Sequence, residues 1–90
     1  MSRFRPAAQT TGPDGRAWEI YAYRARRTNA WTIEAVTFGG HHERHHWRTK
    51  TEFRGQVLAQ VEGSIARGDF PVPRNAVYDN RSARYRRARG

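Results

Sequence analysis

The stretch from Thr49 to Gly68 constrains this chain more than any other. Thr49 and Glu52 stand at capping-box spacing, and Phe53, Val57, Leu58, Val61 and Ile65 recur at the period of one helical face. Gly68 then occupies the position where helices close. The pattern predicts one amphipathic helix opening at Thr49. A helix with a single apolar stripe must lay it on another layer, and the residues upstream say which kind. Between Ala17 and Ala25, Trp18, Ile20 and Ala22 alternate with Glu19, Tyr21 and Tyr23. Between Ala30 and Phe38, Trp31, Ile33 and Ala35 alternate with Thr32, Glu34 and Val36. Period two and the aromatic content make both segments strands, joined as a hairpin across Arg26-Arg27-Thr28-Asn29. Gly39-Gly40 marks the next turn, and Glu43 to Arg48 reads as a third, more polar strand with Trp47 pointing inward.

The expected architecture is therefore α+β: a three-stranded antiparallel sheet packed on one C-terminal amphipathic helix, with flexible basic tails. Its expected limits are residues 17–72. Residues 1–16 read as a flexible N-terminal arm ending in the turn run Gly12-Pro13-Asp14-Gly15, and residues 73–90 as a basic, disordered C-terminal tail. Val77 and Tyr78 either pack back on the core or begin that tail.

Size and composition narrow the function. Ninety residues support one modest core and leave little room for a catalytic cleft, so a multi-domain enzyme is excluded. The absence of cysteine removes disulfide frameworks, thiolate metal sites and cysteine nucleophiles, which makes a cytoplasmic setting the expectation, nucleoid-associated if the partner is DNA. No apolar run approaches the length that spans a bilayer, so no membrane partner is expected. The serines lack a nucleophile-elbow context, no glycine-rich phosphate loop follows a strand, and the carboxylates are scattered singly, so no catalytic residues, no cofactor and no enzymatic activity are expected.

The charge points to a polyanion. The 17 Lys+Arg against 8 Asp+Glu give a formal +9. In residues 71–90, six arginines face Asp79 alone, a local excess of +5, whereas the segments forming the helix and strands are close to neutral. Lys50 is the single lysine among the 17 basic residues. Arginine forks onto phosphates and guanine edges, although a GC-rich coding sequence produces the same bias. Arg81, Arg84, Arg86, Arg87 and Arg89 surround Tyr85 in the composition of an arm that condenses on phosphates, while Arg24, Arg26 and Arg27 gather at the hairpin tip. The sheet face turned away from the helix is expected to carry Tyr21, Tyr23, Arg44, His46 and Arg48, interleaving aromatic and basic groups, with Lys50 beyond them. A sheet of this kind fits the major groove. On the same face Glu19 and Glu34 oppose phosphate unless arginines across the strands pair with them.

The run His41-His42-Glu43-Arg44-His45-His46 has the histidine content of a zinc site but misses metalloprotease spacing by one residue. On a strand its histidines alternate faces, so no metal is assigned. A base or phosphate contact and a plain polar loop both remain open readings.

The order hairpin, glycine turn, polar strand and then Arg48-Thr49-Lys50-Thr51-Glu52-Phe53 opening a helix resembles the arm-type N-terminal DNA-binding domain of phage-type tyrosine integrases, over about residues 17–72. Trp47, Thr49-Lys50 and Glu52 match that family's aromatic and TK-x-E step, and Phe53 stands where the family has alanine. The resemblance implies a three-stranded sheet seated in the DNA major groove with the helix behind it, a phage-related or regulatory origin, and no strand-cleaving activity. Together these readings point to a small non-enzymatic nucleic-acid-binding protein, with DNA favoured over RNA. The alternatives are a protein-interaction module that uses the aromatic sheet face, or a ribosome- or RNA-associated basic protein. Oligomeric state is not set by the sequence.

Overall fold

A computed structural model describes residues 5–24, 29–37 and 42–79. Strands β1 (Ala8–Thr11), β2 (Ala17–Arg24), β3 (Ala30–Thr37), β4 (Arg44–Lys50) and β5 (Ala76–Asp79) form one antiparallel sheet in that spatial order. Helix α1 (Arg54–Arg67), entered through a 3-10 turn at Thr51–Phe53, lies between β4 and β5 in the chain and packs on one face of the sheet.

The α+β class and the single antiparallel sheet match the expectation, but the sheet has five strands rather than three. The two additional strands come from segments read as arm and tail. β1 pairs with β2 through Ala8↔Ile20 and Thr11↔Ala17, and the Gly12–Arg16 turn that closes this hairpin holds Gly15 at φ 84°. In that turn the Gly15 N–H donates to the Gly12 carbonyl at 2.9 Å, and the Asp14 carboxylate accepts from the Arg16 N–H at 3.0 Å. β5 pairs with β4 through Trp47↔Tyr78 and Thr49↔Ala76, after a turn at Asn75 with φ 64°, a conformation asparagine tolerates. Val77 and Tyr78 are thus part of the sheet.

The core follows the two periodicities. Trp18, Ile20, Ile33, Ala35 and Trp47 from the sheet meet Val57, Val61 and Ile65 from α1, with Phe53 and Leu58 partly buried at the margin. Trp31 shares that face but sits at the strand-to-helix junction, where its Nε1 donates to Thr51 Oγ1 at 2.9 Å and the Arg54 guanidinium lies 4.4 Å from its ring centre.

The start of the helix departs from the reading. Thr49 is not an N-cap: it belongs to β4, is buried, and its hydroxyl donates to the Asn75 carbonyl at 2.7 Å. Pairing with β5 through Thr49 and with β3 through Lys50 holds the backbone extended, so the helix opens later, with Phe53 at its N-cap and no side-chain cap bond. The other end is as read. Gly68 adopts φ 88°, its N–H donates to Ile65 O at 3.0 Å, and the Asp69 N–H donates to Ser64 O at 2.9 Å, the paired bonds of a Schellman closure. A Cβ at Gly68 would stand 2.8 Å from Pro13 Cγ. Gly68→Ala therefore combines left-handed strain of about 1–2 kcal/mol with a clash, and should lower stability by at least that much in urea denaturation. An unchanged midpoint would mean the helix ends differently in solution.

Candidate nucleic-acid interface

Alternation along the strands decides which side chains share the face away from α1. Because Ile33 and Trp47 point into the core, Glu34, His46 and their register partners point out. Tyr21, Tyr23, Arg44, His46, Arg48 and Lys50 all lie on this uncovered face, as read from the sequence. Along β4 the four basic groups Arg44, His46, Arg48 and Lys50 follow one another at every second residue, about 6.8 Å apart and spanning about 20 Å.

Arg24 does not join them. Its register partner is Trp31, on the helix side, so it leaves the end of β2 from the opposite face. Arg26, Arg27, Arg81, Arg84, Arg86, Arg87 and Arg89 lie outside the described residues, as do Phe38 and His41.

A carboxylate anchors the centre of the face. Glu34 is only 8% exposed, with Arg44 Nε 2.8 Å and His46 Nε2 3.3 Å from Oε2, and the Tyr23 hydroxyl donating to Oε1. Burial pushes the Glu34 carboxyl up, but the hydrogen bonds from His46 and Tyr23 and the charges of His46 and Arg44 outweigh it and hold the group below its usual range. Burial together with the same carboxylate holds the Tyr23 hydroxyl far above its usual range. Beside it the Tyr21 hydroxyl donates to Glu19 Oε1 at 2.7 Å, which raises the Tyr21 pKa. Glu34 is thus paired with an arginine from the neighbouring strand, whereas Glu19 accepts from the Tyr21 hydroxyl. The side chains of Arg48 and Lys50, by contrast, have no hydrogen-bond or ion-pair partner among the described residues.

The strand missed in the tail adds to this face. Its alternation places Val77 opposite Arg48 and Asp79 opposite His46. With Asp79 included, Arg44, Arg48 and Lys50 are matched by Glu19, Glu34 and Asp79, so the folded face carries no net charge from its fixed ions. A signal for β1 existed in the sequence: a Gly-Pro-Asp-Gly turn feeding a strand implies a partner strand before the turn. For β5 the signal was only Val77 and Tyr78 between two asparagines.

The histidines separate as strand alternation requires. His46 faces Glu34, whereas His45 lies on the helix side, with Nδ1 3.0 Å from the Tyr78 hydroxyl and Nε2 3.2 Å from Glu43 Oε1. Among the described residues no three His, Asp or Glu groups converge as metal ligands. None of the helices described is long and apolar enough to cross a membrane.

The fold and face define a one-helix, five-stranded α+β domain with an open, mixed-charge sheet surface. No family model, no curated protein and no solved structure matches this chain.

Acid should loosen the domain. Hydrogen bonds from Arg16 and then His45 lower the Glu43 pKa, and those from the Arg16 backbone and side chain lower that of Asp14, in the same sense as Glu34. Folded values below the unfolded ones mean that this stabilisation is complete above the unfolded carboxylate range, near pH 4–4.5, and is lost as pH falls through the folded values. The urea midpoint should hold from pH 7 to about 5 and then fall. Glu34→Gln, which keeps an acceptor for Tyr23, should make the fall shallower, and an identical profile would remove Glu34 from the effect.

Proposed function

We propose that this chain is a small, non-enzymatic nucleic-acid-binding protein that sets the uncovered face of its sheet, together with its Arg-rich C-terminal segment, against duplex DNA. The observation that carries the reading is the row Arg44, His46, Arg48 and Lys50 on one face of β4, with Arg48 and Lys50 unengaged and Glu34 already neutralised by Arg44 and His46. A row of cations on an open sheet can follow a phosphate backbone, while Tyr21 and Tyr23 beside it offer ring surface to bases. Since the fixed ions of the face balance, the sheet sets position and the run Arg81 to Arg89 supplies most of the attraction. The likeness to integrase arm domains belongs to the same proposal, with β1 and β5 as strands outside its three-stranded pattern.

The test is fluorescence anisotropy of the full chain on duplex DNA and on structured RNA across a salt series, compared with a chain carrying Gln at positions 81, 84, 86, 87 and 89. Substitution suits this fold better than trimming to residues 17–78, which would delete β1 and clip Asp79 from β5. The tail variant is expected to bind more weakly but to keep a salt slope of its own on duplex. Complete loss of binding would leave the sheet without a role in nucleic-acid contact.

A second reading has one observation in its favour: the charge balance of the face, combined with Val77 at 70% exposure beside Arg48, also suits a protein partner. Under that reading Tyr21→Ala abolishes capture of the partner and leaves nucleic-acid binding by the tail intact.

A further inference from the structure

One helix does not cover five strands. A helix with its side chains is about 10–12 Å across, whereas five strands spaced about 4.8 Å apart extend about 19 Å between the outer axes. Beside the C-terminal end of α1 the inner sheet face is closed over by two loops instead: the Gly12–Arg16 turn, and the segment after Gly68 that carries Phe70. Between them lies a cavity of about 330 Å³, at the small end of the range for ligand sites.

Its walls are aromatic. Trp18, Trp47 and Phe70 line it, with the Phe70 ring 6.0 Å from that of Trp47, and the His45 ring 6.2 Å from each tryptophan. Its rim carries Asp14, Glu43 and Asp69; Arg16 pairs with the first two, His45 also meets Glu43, and Arg67 reaches Asp69 at 3.4 Å, so three carboxylates stand against two guanidiniums in a chain of formal charge +9. Arg16 shows what these walls accept. Its guanidinium sits 5.6 Å from the Trp18 ring centre while Asp14 and Glu43 hold it at 2.8 and 2.9 Å. The cavity thus already pairs a cation with a ring face at its rim; Trp47, 1% exposed, forms the back of the wall, and Phe70, 54% exposed, offers ring surface that no arginine or lysine covers among the described residues.

We propose that this cavity binds a small molecule bearing an alkylated ammonium group. Ring faces attract a cation through their quadrupole, and an excess of one carboxylate over guanidinium at the rim favours the same sign. Alkylation fits the walls, since a bare ammonium gives up water and finds few acceptors on indole and phenyl rings, whereas a methylated one needs no hydrogen bonds. An anion meets the carboxylate excess, and a metal ion lacks a converging ligand set among the described residues. The cavity is on the helix side of the sheet, so the inference stands apart from the nucleic-acid reading.

The test is a titration of the full chain with choline, with tetramethylammonium and with 3,3-dimethylbutan-1-ol, the neutral carbon isostere of choline, at constant ionic strength and followed by the tryptophan indole N–H resonances. Both cations are expected to saturate, with shifts at Trp18 and Trp47, and the isostere to bind at least about tenfold more weakly. Phe70→Ala removes a wall whose residue is 54% exposed, so the domain should stay folded, with a modest fall in urea midpoint from the lost ring contacts, while choline affinity falls about tenfold. Equal binding of the neutral isostere overturns the proposal, as does failure of choline to saturate at tens of millimolar. A Phe70→Ala chain that folds and binds choline as before overturns it as well.

Discussion

Replacing Trp47 by Ala is expected to cost about 3–5 kcal/mol, enough to leave a domain of this size close to unfolded at room temperature. Trp47 is 1% exposed at the centre of the inner face, paired to Ile33 on one side and Tyr78 on the other. Its ring lies 5.7 Å from that of Tyr78 and 6.0 Å from that of Phe70, so the substitution empties the site where the sheet, β5 and the segment after the helix meet. A total stability of about 0.05–0.15 kcal/mol per residue gives a 90-residue chain little margin for such a loss. Far-UV circular dichroism against urea measures it without relying on the deleted fluorophore. A loss below about 1 kcal/mol would mean that Trp47 lies outside the core.

The second large effect falls on binding. The Arg48 and Lys50 side chains are exposed and unengaged among the described residues, so replacing both by Ala should leave the fold unchanged and, under the proposed function, remove two phosphate contacts. Each contact contributes about 0.9 to the slope of log K against log salt, so the slope on duplex DNA should shrink by about 2. At low salt the affinity should drop by one to two orders of magnitude across all sequences alike. Arg67→Ala serves as the control, because Arg67 is on α1, engaged with Asp69 and Ser64, and away from the sheet face. A slope that Arg48 and Lys50 do not change would detach the uncovered face from nucleic-acid binding and turn attention to the protein-partner reading.

Much of the candidate face was legible because strand alternation is a local rule. Once Trp18, Ile20, Ile33 and Trp47 are assigned inward, Tyr21, Tyr23, Arg44, His46 and Arg48 must point outward together. Arg24 falls outside that set because, four residues from Ile20, it shares the inward parity of Ile20 and pairs with Trp31. The cavity beside the helix was not legible at all. Its walls come from positions 18, 47 and 70 and its rim from 14, 43 and 69, three stretches far apart in the chain that meet only because the helix leaves part of the sheet uncovered.

The sequence by itself determined the helix over Val57, Val61 and Ile65, its closure at Gly68, the three central strands and the face each turns to the core. Those elements are encoded by periodicity and by caps within a few residues of one another, so each stretch carries its own instruction. Only the tertiary structure decided the number of strands and the point where β4 gives way to α1. Neither four-residue edge strand contains a fully buried residue, and each forms by hydrogen-bonding to a neighbour that is already in place. Thr49 displays the consequence: its neighbours in sequence suit a helix cap, but pairing with Ala76 and the bond to the Asn75 carbonyl, both from the far side of the helix, keep it in the sheet.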